Sequence, residues 1–164
     1  MSTFNKVLGI IDAILIRFLQ ALLLLVTAAV TWQVFSRYVL NAPSSFTEEL
    51  ARFLLIWITL LGCAYAYRKN VHLGLDMIYT SANESYRKVM YFIIHLSVAF
   101  FALSVMVIGG YELVNMTNTL GQSSPVLGID IGTVYLVIPL SGVLIVLFAI
   151  NSLIQPNYNI EHGE

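Results

Sequence analysis

Residues 18–36 read FLQALLLLVTAAVTWQVFS, a run of nineteen residues without a charge. The hydrocarbon core of a bilayer is about 30 Å thick, and a helix needs about 20 residues to cross it. Because the run approaches that length, and because the whole chain is 59% hydrophobic and only 10% charged, we expect it to be embedded in lipid.

Uncharged runs of similar kind occur in three further places. They predict an all-α membrane protein with four transmembrane helices at about 10–39, 50–67, 89–111 and 131–154, forming a single domain over residues 1–164. The first span is expected to be retained, because the apolar region of a signal peptide is only about 7–15 residues long. The second span is short, so we expect either that Arg52 at its start reaches toward the headgroups or that the helix begins in the headgroup layer.

Lysine and arginine are distributed unevenly between the two sides of this predicted bundle. One side carries Lys6, Arg17, Arg68, Lys69, Arg87 and Lys88, and the other carries only Arg37 and Arg52. Cytoplasmic segments are enriched in these residues. We therefore expect both termini in the cytoplasm, with the first and third connections on the exterior or periplasmic side.

The first connection is the densest polar cluster of the chain. Asn41 and Pro43 are expected to end the first helix. Ser45, with Glu48 three positions on, matches a capping box that starts a new helix. Glu48 and Arg52 then form an i, i+4 ion pair in the favourable order. These features predict a short interfacial helix before span two, which is either an ordinary capped turn or a docking surface for another subunit.

The second and third connections carry smaller clusters. His72 and Asp76 lie four residues apart and are expected to be structural, since a metal site needs more ligands than this segment offers. In the third connection Gly121 and Pro125 predict a turn, and Asp130 can cap the fourth helix. No lysine follows as in a phosphate-binding loop, so this connection is interpreted as a tight turn or a contact surface.

The predicted spans contain few polar side chains, and none of these is a carboxylate near mid-membrane. An independent proton-coupled transporter of four helices depends on such a carboxylate. A b-type cytochrome would need His72 and His95 together inside the bundle, and His72 is expected outside it. Both alternatives remain open. A net charge of −1 without a basic run argues against nucleic-acid binding, and a single cysteine, Cys63, excludes an intrachain disulfide.

The clusters also form an ordered set of motifs. An Arg-Tyr pair ends span one, and a proline, an aromatic residue, Glu-Glu-Leu-Ala-Arg, a span-two tryptophan, a Leu-Gly…Ala…Arg…His…Asp series and Gly-Gln-x-Ser-Pro follow. They occupy Arg37, Tyr38, Pro43, Phe46, Glu48, Glu49, Leu50, Ala51, Arg52, Trp57, Leu61, Gly62, Ala64, Ala66, Arg68, His72, Asp76, Gly121, Gln122, Ser124 and Pro125. This set resembles the small membrane subunit of tripartite ATP-independent periplasmic (TRAP) transporters. Phe46 departs from the family's tryptophan and Asp130 from a common proline.

The resemblance implies a non-catalytic subunit in the bacterial inner membrane. Such a subunit pairs with a large Na⁺-coupled transport subunit as a scaffold and helps to dock a soluble periplasmic substrate-binding protein. The implied substrate is an organic acid, with sialic acid favoured over a C4-dicarboxylate. Membrane lipids are the other expected partners. The resemblance implies no cofactor or metal in this chain, with Na⁺ held by the large partner.

The resemblance and the clusters together indicate two groups of site residues, and neither is catalytic. The expected interface with the large subunit or the binding protein consists of Arg37, Tyr38, Glu48, Glu49, Arg52, Trp57, Gln122, Ser124 and Pro125. The expected structural residues on the cytoplasmic side are Arg68, His72 and Asp76.

Overall fold

The computed structural model describes residues 3–69 and 84–154. The first two helices are α1 (Thr3–Tyr38) and α2 (Ser45–Arg68). The third span is one continuous helical rod made of α3 (Glu84–Phe101), a π-helical segment (Ala102–Gly109) and α4 (Gly110–Thr119). The fourth consists of the short α5 (Ile131–Tyr135) and α6 (Val137–Ile154).

Four stretches of these helices are long and apolar enough to cross a membrane. They are Lys6–Tyr38, Ser45–Arg68, Tyr86–Thr119 and Ile131–Ile154. The prediction of an all-helical protein with four spans is confirmed for the part of the chain that the structure describes. The first helix begins before its predicted start, and the third extends past both of its predicted ends, because a charge at the interface ends the apolar run without ending the helix.

The turn between α1 and α2 follows the predicted break with one difference. Asn41 adopts φ of 51°, a left-handed conformation that asparagine tolerates and that ends a helix. The N-cap of α2 is Ser44, whose side chain accepts a hydrogen bond from the Thr47 N–H at 3.5 Å. The prediction that Ser45 is the cap is therefore wrong by one residue, since Ser45 is already helical.

No separate short helix precedes the second span. Residues 45–49 form the first turn of α2, and the helix continues without a break to Arg68. The cap at Ser44 starts the helix, and Glu48, Arg52 and the apolar residues after them are all compatible with helix, so nothing in the segment ends the first turn. The expected interfacial segment is thus the beginning of span two itself.

A tight seam joins the third and fourth spans. A Cβ atom added to Gly142 would lie 2.7 Å from the Met106 Cβ and 3.0 Å from the Val107 Cγ2 of the π-helical segment. A Cβ atom on Gly110 would lie 2.9 Å from the Ile138 Cγ2. Both contacts are shorter than van der Waals distance, so the two helices approach this closely only because both positions lack a side chain.

An ion pair ties α1 to the far end of α2. The Arg68 Nε donates to the Asp12 Oδ2 at 3.2 Å, and these side chains are only 25% and 17% exposed. The Arg68 guanidinium also lies 5.7 Å from the ring centroid of Phe148 on α6, a cation–π distance. Residues 3–11 of α1 continue beyond this contact by about 14 Å, and they carry the exposed apolar side chains of Val7 and Ile10.

Candidate functional site

The first and third polar clusters of the sequence meet at the end of the bundle where α2 begins. The Glu49 Oε2 accepts hydrogen bonds from the backbone N–H groups of Val126 at 3.1 Å and Leu127 at 3.0 Å. The Ser124 side chain also hydrogen-bonds this carboxylate. One side chain in the first turn of α2 therefore holds a loop that lies more than seventy residues away in sequence.

The loop held by Glu49 is a compact turn. The Ser124 N–H donates to the Ile129 carbonyl at 2.9 Å, and the Gly128 N–H returns to the Ser124 carbonyl at 3.0 Å. Gly128 has φ of 66°, in the left-handed region that glycine adopts without a steric clash because it lacks a Cβ atom. Ser124 is only 3% exposed although it lies in a connection. The predicted tight turn is confirmed, and its internal hydrogen bonds fix its shape.

The junction between this loop and the fourth span is held by backbone atoms. The Ile131 N–H donates to the Gln122 carbonyl at 3.0 Å. Asp130 occupies the N-cap position of α5 as predicted, but its side chain makes no capping hydrogen bond. Its carbonyl instead accepts from the Thr133 N–H at 2.9 Å.

An exposed cleft lies between α2 and the loop. It has a volume of about 210 Å³ and is lined by Ser45, Glu48, Glu49, Arg52, Pro125 and Val126. The Arg52 Nη2 donates to the Glu48 Oε1 at 3.4 Å, with the two side chains 67% and 52% exposed. The predicted i, i+4 pair is therefore confirmed, and its exposure makes it a weak contributor to stability. We call this surface, formed by residues 45–52 and 120–130, the loop end.

Exposed apolar side chains also occur in the segments at this end of the bundle. They are Tyr38, Val39, Leu40, Phe46, Leu120, Val126 and Ile129. Exposed apolar residues together with a small charged cleft are the composition of a protein-contact surface rather than of a soluble-ligand pocket.

Three of the remaining predicted site residues, Arg37, Trp57 and Arg68, do not line the cleft. Arg37 is exposed at the end of α1, whereas the half-buried ring of Trp57 packs edge-on against Phe18, with 6.3 Å between ring centroids. Arg68 lies at the opposite end of the bundle, paired with Asp12. His72 and Asp76 lie outside the described residues.

The sequence indicated Glu49 as a site residue but did not indicate the residues that it contacts. Val126 and Leu127 contribute only backbone N–H groups to Glu49, so their side chains gave no signal. Asp12 is the one carboxylate in α1. Its partner, Arg68, lies 56 residues away, so the sequence does not indicate the pair.

Little else in the described residues suggests chemistry. His95 is 7% exposed and packs between two aromatic rings, with centroids 4.0 Å from Tyr91 and 5.6 Å from Tyr67. Among residues 3–69 and 84–154 no three His, Cys, Asp or Glu side chains lie close enough to hold a metal ion. His72, the second ligand that a haem would need, lies outside these residues.

Comparison with known proteins decides the family. The sequence model of the DctQ component of tripartite ATP-independent periplasmic transporters matches residues 26–156, which include both clusters of the loop end. The chain belongs to this family. It is a membrane-spanning small permease subunit of a TRAP transporter.

Individual relatives agree with this assignment. The sialic acid TRAP transporter small permease protein SiaQ of Vibrio cholerae is 30% identical over 112 residues, which cover 68% of this chain and 62% of that protein. A putative TRAP transporter small permease protein of Haemophilus influenzae is 26% identical over 144 residues, 88% of either chain.

A third relative is a much longer protein. The isethionate TRAP transporter permease protein DctMQ of Oleidesulfovibrio alaskensis is 31% identical over 143 residues, which cover 82% of this chain but 22% of that permease. A unit like this TRAP small permease therefore also occurs as one segment of a longer permease chain.

The contact made by Glu49 leads to a first prediction. Replacing Glu49 with alanine is expected to speed hydrogen exchange at the Val126 and Leu127 amides by about tenfold, because each loses its charge-assisted acceptor. Hydrogen-exchange mass spectrometry of the purified protein measures this. Glu48→Ala removes a neighbouring carboxylate that accepts no hydrogen bond from these two amides, so it should leave the exchange of both unchanged. Equal exchange in the two variants would contradict the contact.

Proposed function

We propose that this TRAP small permease is a non-catalytic scaffold in the bacterial inner membrane. It pairs with a large Na⁺-coupled permease subunit and presents the loop end to a soluble substrate-binding protein in the periplasm. The observation that carries the proposal is the Glu49 contact, because it joins the two most distinctive motifs of the chain into one shaped, exposed surface.

The hydroxyl side chains within the spans support a scaffold rather than a transport path. The hydroxyls of Thr27, Thr31 and Ser104 each donate to a carbonyl four residues earlier in their own helix, at 2.7, 2.7 and 2.6 Å. Such hydroxyls are already satisfied and do not form a line of groups for a solute. Two ion pairs, Asp12–Arg68 and Glu48–Arg52, lie near the ends of the spans.

The distribution of positive charge supports the orientation. The Asp12–Arg68 end of the bundle carries Lys6, Lys69 and Lys88, whereas the opposite end, which includes the loop end, carries only Arg37 and Arg52. The positive side of a membrane protein faces the cytoplasm. In this orientation the loop end lies in the periplasm, where a soluble binding protein can reach it, and both termini are cytoplasmic.

The substrate we propose is an organic acid carried by the large subunit. The names of two relatives refer to sialic acid and isethionate, two acids that differ in size and shape. Sialic acid is our first choice, and a C4-dicarboxylate is the alternative. Because the proposed transport and Na⁺ sites lie in the partner, changes at the loop end should alter uptake rate without altering which acid is taken up.

Uptake by whole cells tests this function. Cells that express the large subunit and the binding protein, but not this chain, are expected to lose Na⁺-dependent uptake of radiolabelled sialic acid. Supplying this chain should restore uptake, and the purified chain alone in liposomes should transport nothing. Full uptake without the chain would overturn the scaffold proposal, and transport by the chain alone would show that it contains its own pathway.

A further inference from the structure

One face of α2 differs in composition from the exposed surface of the third span. From Arg52 to the end of the helix, its exposed residues are Arg52, Leu55, Thr59 and Cys63. They are spaced by three or four residues and so lie on one side of the helix. We call these four residues the α2 stripe. Resting on the proposed pairing, we infer that a transmembrane helix of the large permease subunit packs on the α2 stripe.

The stripe is the outward side of a helix that is otherwise enclosed. Ala51, Leu54, Leu61 and Ala64 on the opposite side are buried within the bundle. A cleft of about 420 Å³ lies along the stripe, bordered by Ile56 and Leu60. Arg52 also lines the cleft of the loop end, so the two clefts meet at this residue and form a continuous surface from the loop end into the membrane.

The composition of the stripe suits a helix better than lipid. Eight of the nine exposed residues between positions 92 and 108 of the third span are large and apolar: Phe92, Ile93, Leu96, Phe100, Phe101, Leu103, Val105 and Ile108. The stripe instead has one large apolar residue among a charge, a hydroxyl and a thiol. Small and hydroxyl-bearing residues are enriched where membrane helices pack, whereas a charge facing hydrocarbon is costly.

Arg52 defines the chemistry of the partner. A guanidinium offers five N–H donors, and the described residues give it one acceptor, the Glu48 Oε1 at 3.4 Å. Its side chain is 67% exposed on the membrane-facing side of α2. The partner helix should therefore place a carboxylate or free carbonyl oxygen at the level of Arg52 and small residues opposite Thr59 and Cys63.

Two observations favour the large permease over a soluble partner. The stripe runs from Arg52 to Cys63, about 16 Å along the helix axis, through an uncharged part of the span that a soluble protein cannot reach. In addition, the isethionate permease of Oleidesulfovibrio alaskensis contains a unit like this chain within a longer permease. A membrane helix from such a permease is therefore the neighbour that fits.

A second exposed groove provides a matched control. It lies on the side of α1 away from α2, has a volume of about 650 Å³, and is lined by Leu24, Thr27, Ala28, Thr31, Trp32 and Phe35. It has no charge, and both of its threonine hydroxyls are bonded to their own helix backbone. We assign this groove to lipid, so that Thr59 and Thr31 are two exposed membrane threonines with opposite expected roles.

The test compares Thr59→Trp with Thr31→Trp in the complex with the large subunit. Affinity purification through this chain should recover the large subunit with the wild type and with Thr31→Trp, but lose it with Thr59→Trp, whose indole would occupy the partner's position. Circular dichroism and gel filtration of each chain alone verify that the variants are folded. A second measurement uses only the wild-type chain and so does not depend on the folding of Thr59→Trp. The Cys63 thiol should react with maleimide in the isolated chain and be protected in the complex.

The outcomes separate this inference from the proposed function. Recovery of the large subunit by both tryptophan variants, or loss with Thr31→Trp alone, would overturn the α2 stripe as the interface while leaving the pairing intact. Equal maleimide labelling of Cys63 in the isolated chain and the intact complex would do the same. If even the wild-type chain recovers no large subunit, the pairing in the proposed function fails.

Discussion

Replacing Asp12 with alanine is expected to lower the free energy of unfolding by about 2 kcal/mol, between the values typical of exposed and buried ion pairs. The variant leaves the Arg68 guanidinium, whose side chain is only 25% exposed, without its carboxylate beside the Phe148 ring. The loss should appear as a lower midpoint in denaturant or thermal unfolding of the detergent-solubilised protein.

The chain supplies its own control for this measurement. Glu48→Ala breaks the other ion pair, whose side chains are more than half exposed, and should cost less than about 1 kcal/mol. A double-mutant cycle with Arg68→Ala isolates the pair, because the double variant should be less destabilised than the sum of the single variants. Additive effects, or equal losses in Asp12→Ala and Glu48→Ala, would show that the Asp12–Arg68 contact does not hold the helices.

Replacing Gly142 with alanine is expected to be the second most damaging change. The new methyl group would lie 2.7 Å from the Met106 Cβ and 3.2 Å from the Ala102 carbonyl oxygen. Neither atom is the end of a flexible side chain, so the third and fourth spans must move apart. Overpacking of this kind costs about 1–3 kcal/mol, which unfolding of the purified protein measures.

Gly62 is the matched comparison, since an alanine Cβ there would meet no atom within 4 Å. In a helix interior alanine is favoured over glycine by up to about 1 kcal/mol, so Gly62→Ala should be neutral or stabilising. The two glycine-to-alanine changes are therefore expected to have opposite signs. A stabilising effect at both positions would mean that the seam between the spans is looser than the structure indicates.

The elements that could be predicted from the sequence are those fixed by local patterns. A helix that crosses a bilayer must be apolar for about 20 residues, so four such runs identify four spans. The Glu48–Arg52 pair also follows from local spacing. The predicted cap, Ser45, differs from the observed cap, Ser44, because either of two adjacent serines can start a helix. The choice depends on backbone angles that the sequence pattern does not show.

The contacts that organise the two ends could not be predicted in the same way. Asp12 meets Arg68 across 56 residues and Glu49 meets Leu127 across 78, and both depend on how four helices pack. The resemblance to the family pointed to Glu49 and Ser124 separately, without indicating that they meet. The sequence also does not indicate the π-helical segment Ala102–Gly109, because its residues are typical of an ordinary membrane helix.

The nine residues of α1 that lie beyond Asp12 affect how deep the bundle sits in the bilayer. Val7 and Ile10 are about half exposed on this overhang, and immersing them in water would cost free energy in proportion to their apolar area. We therefore expect the overhang to lie at the boundary between headgroups and acyl chains, where these side chains are shielded from water and the Asp12–Arg68 ion pair joins the overhang to α2.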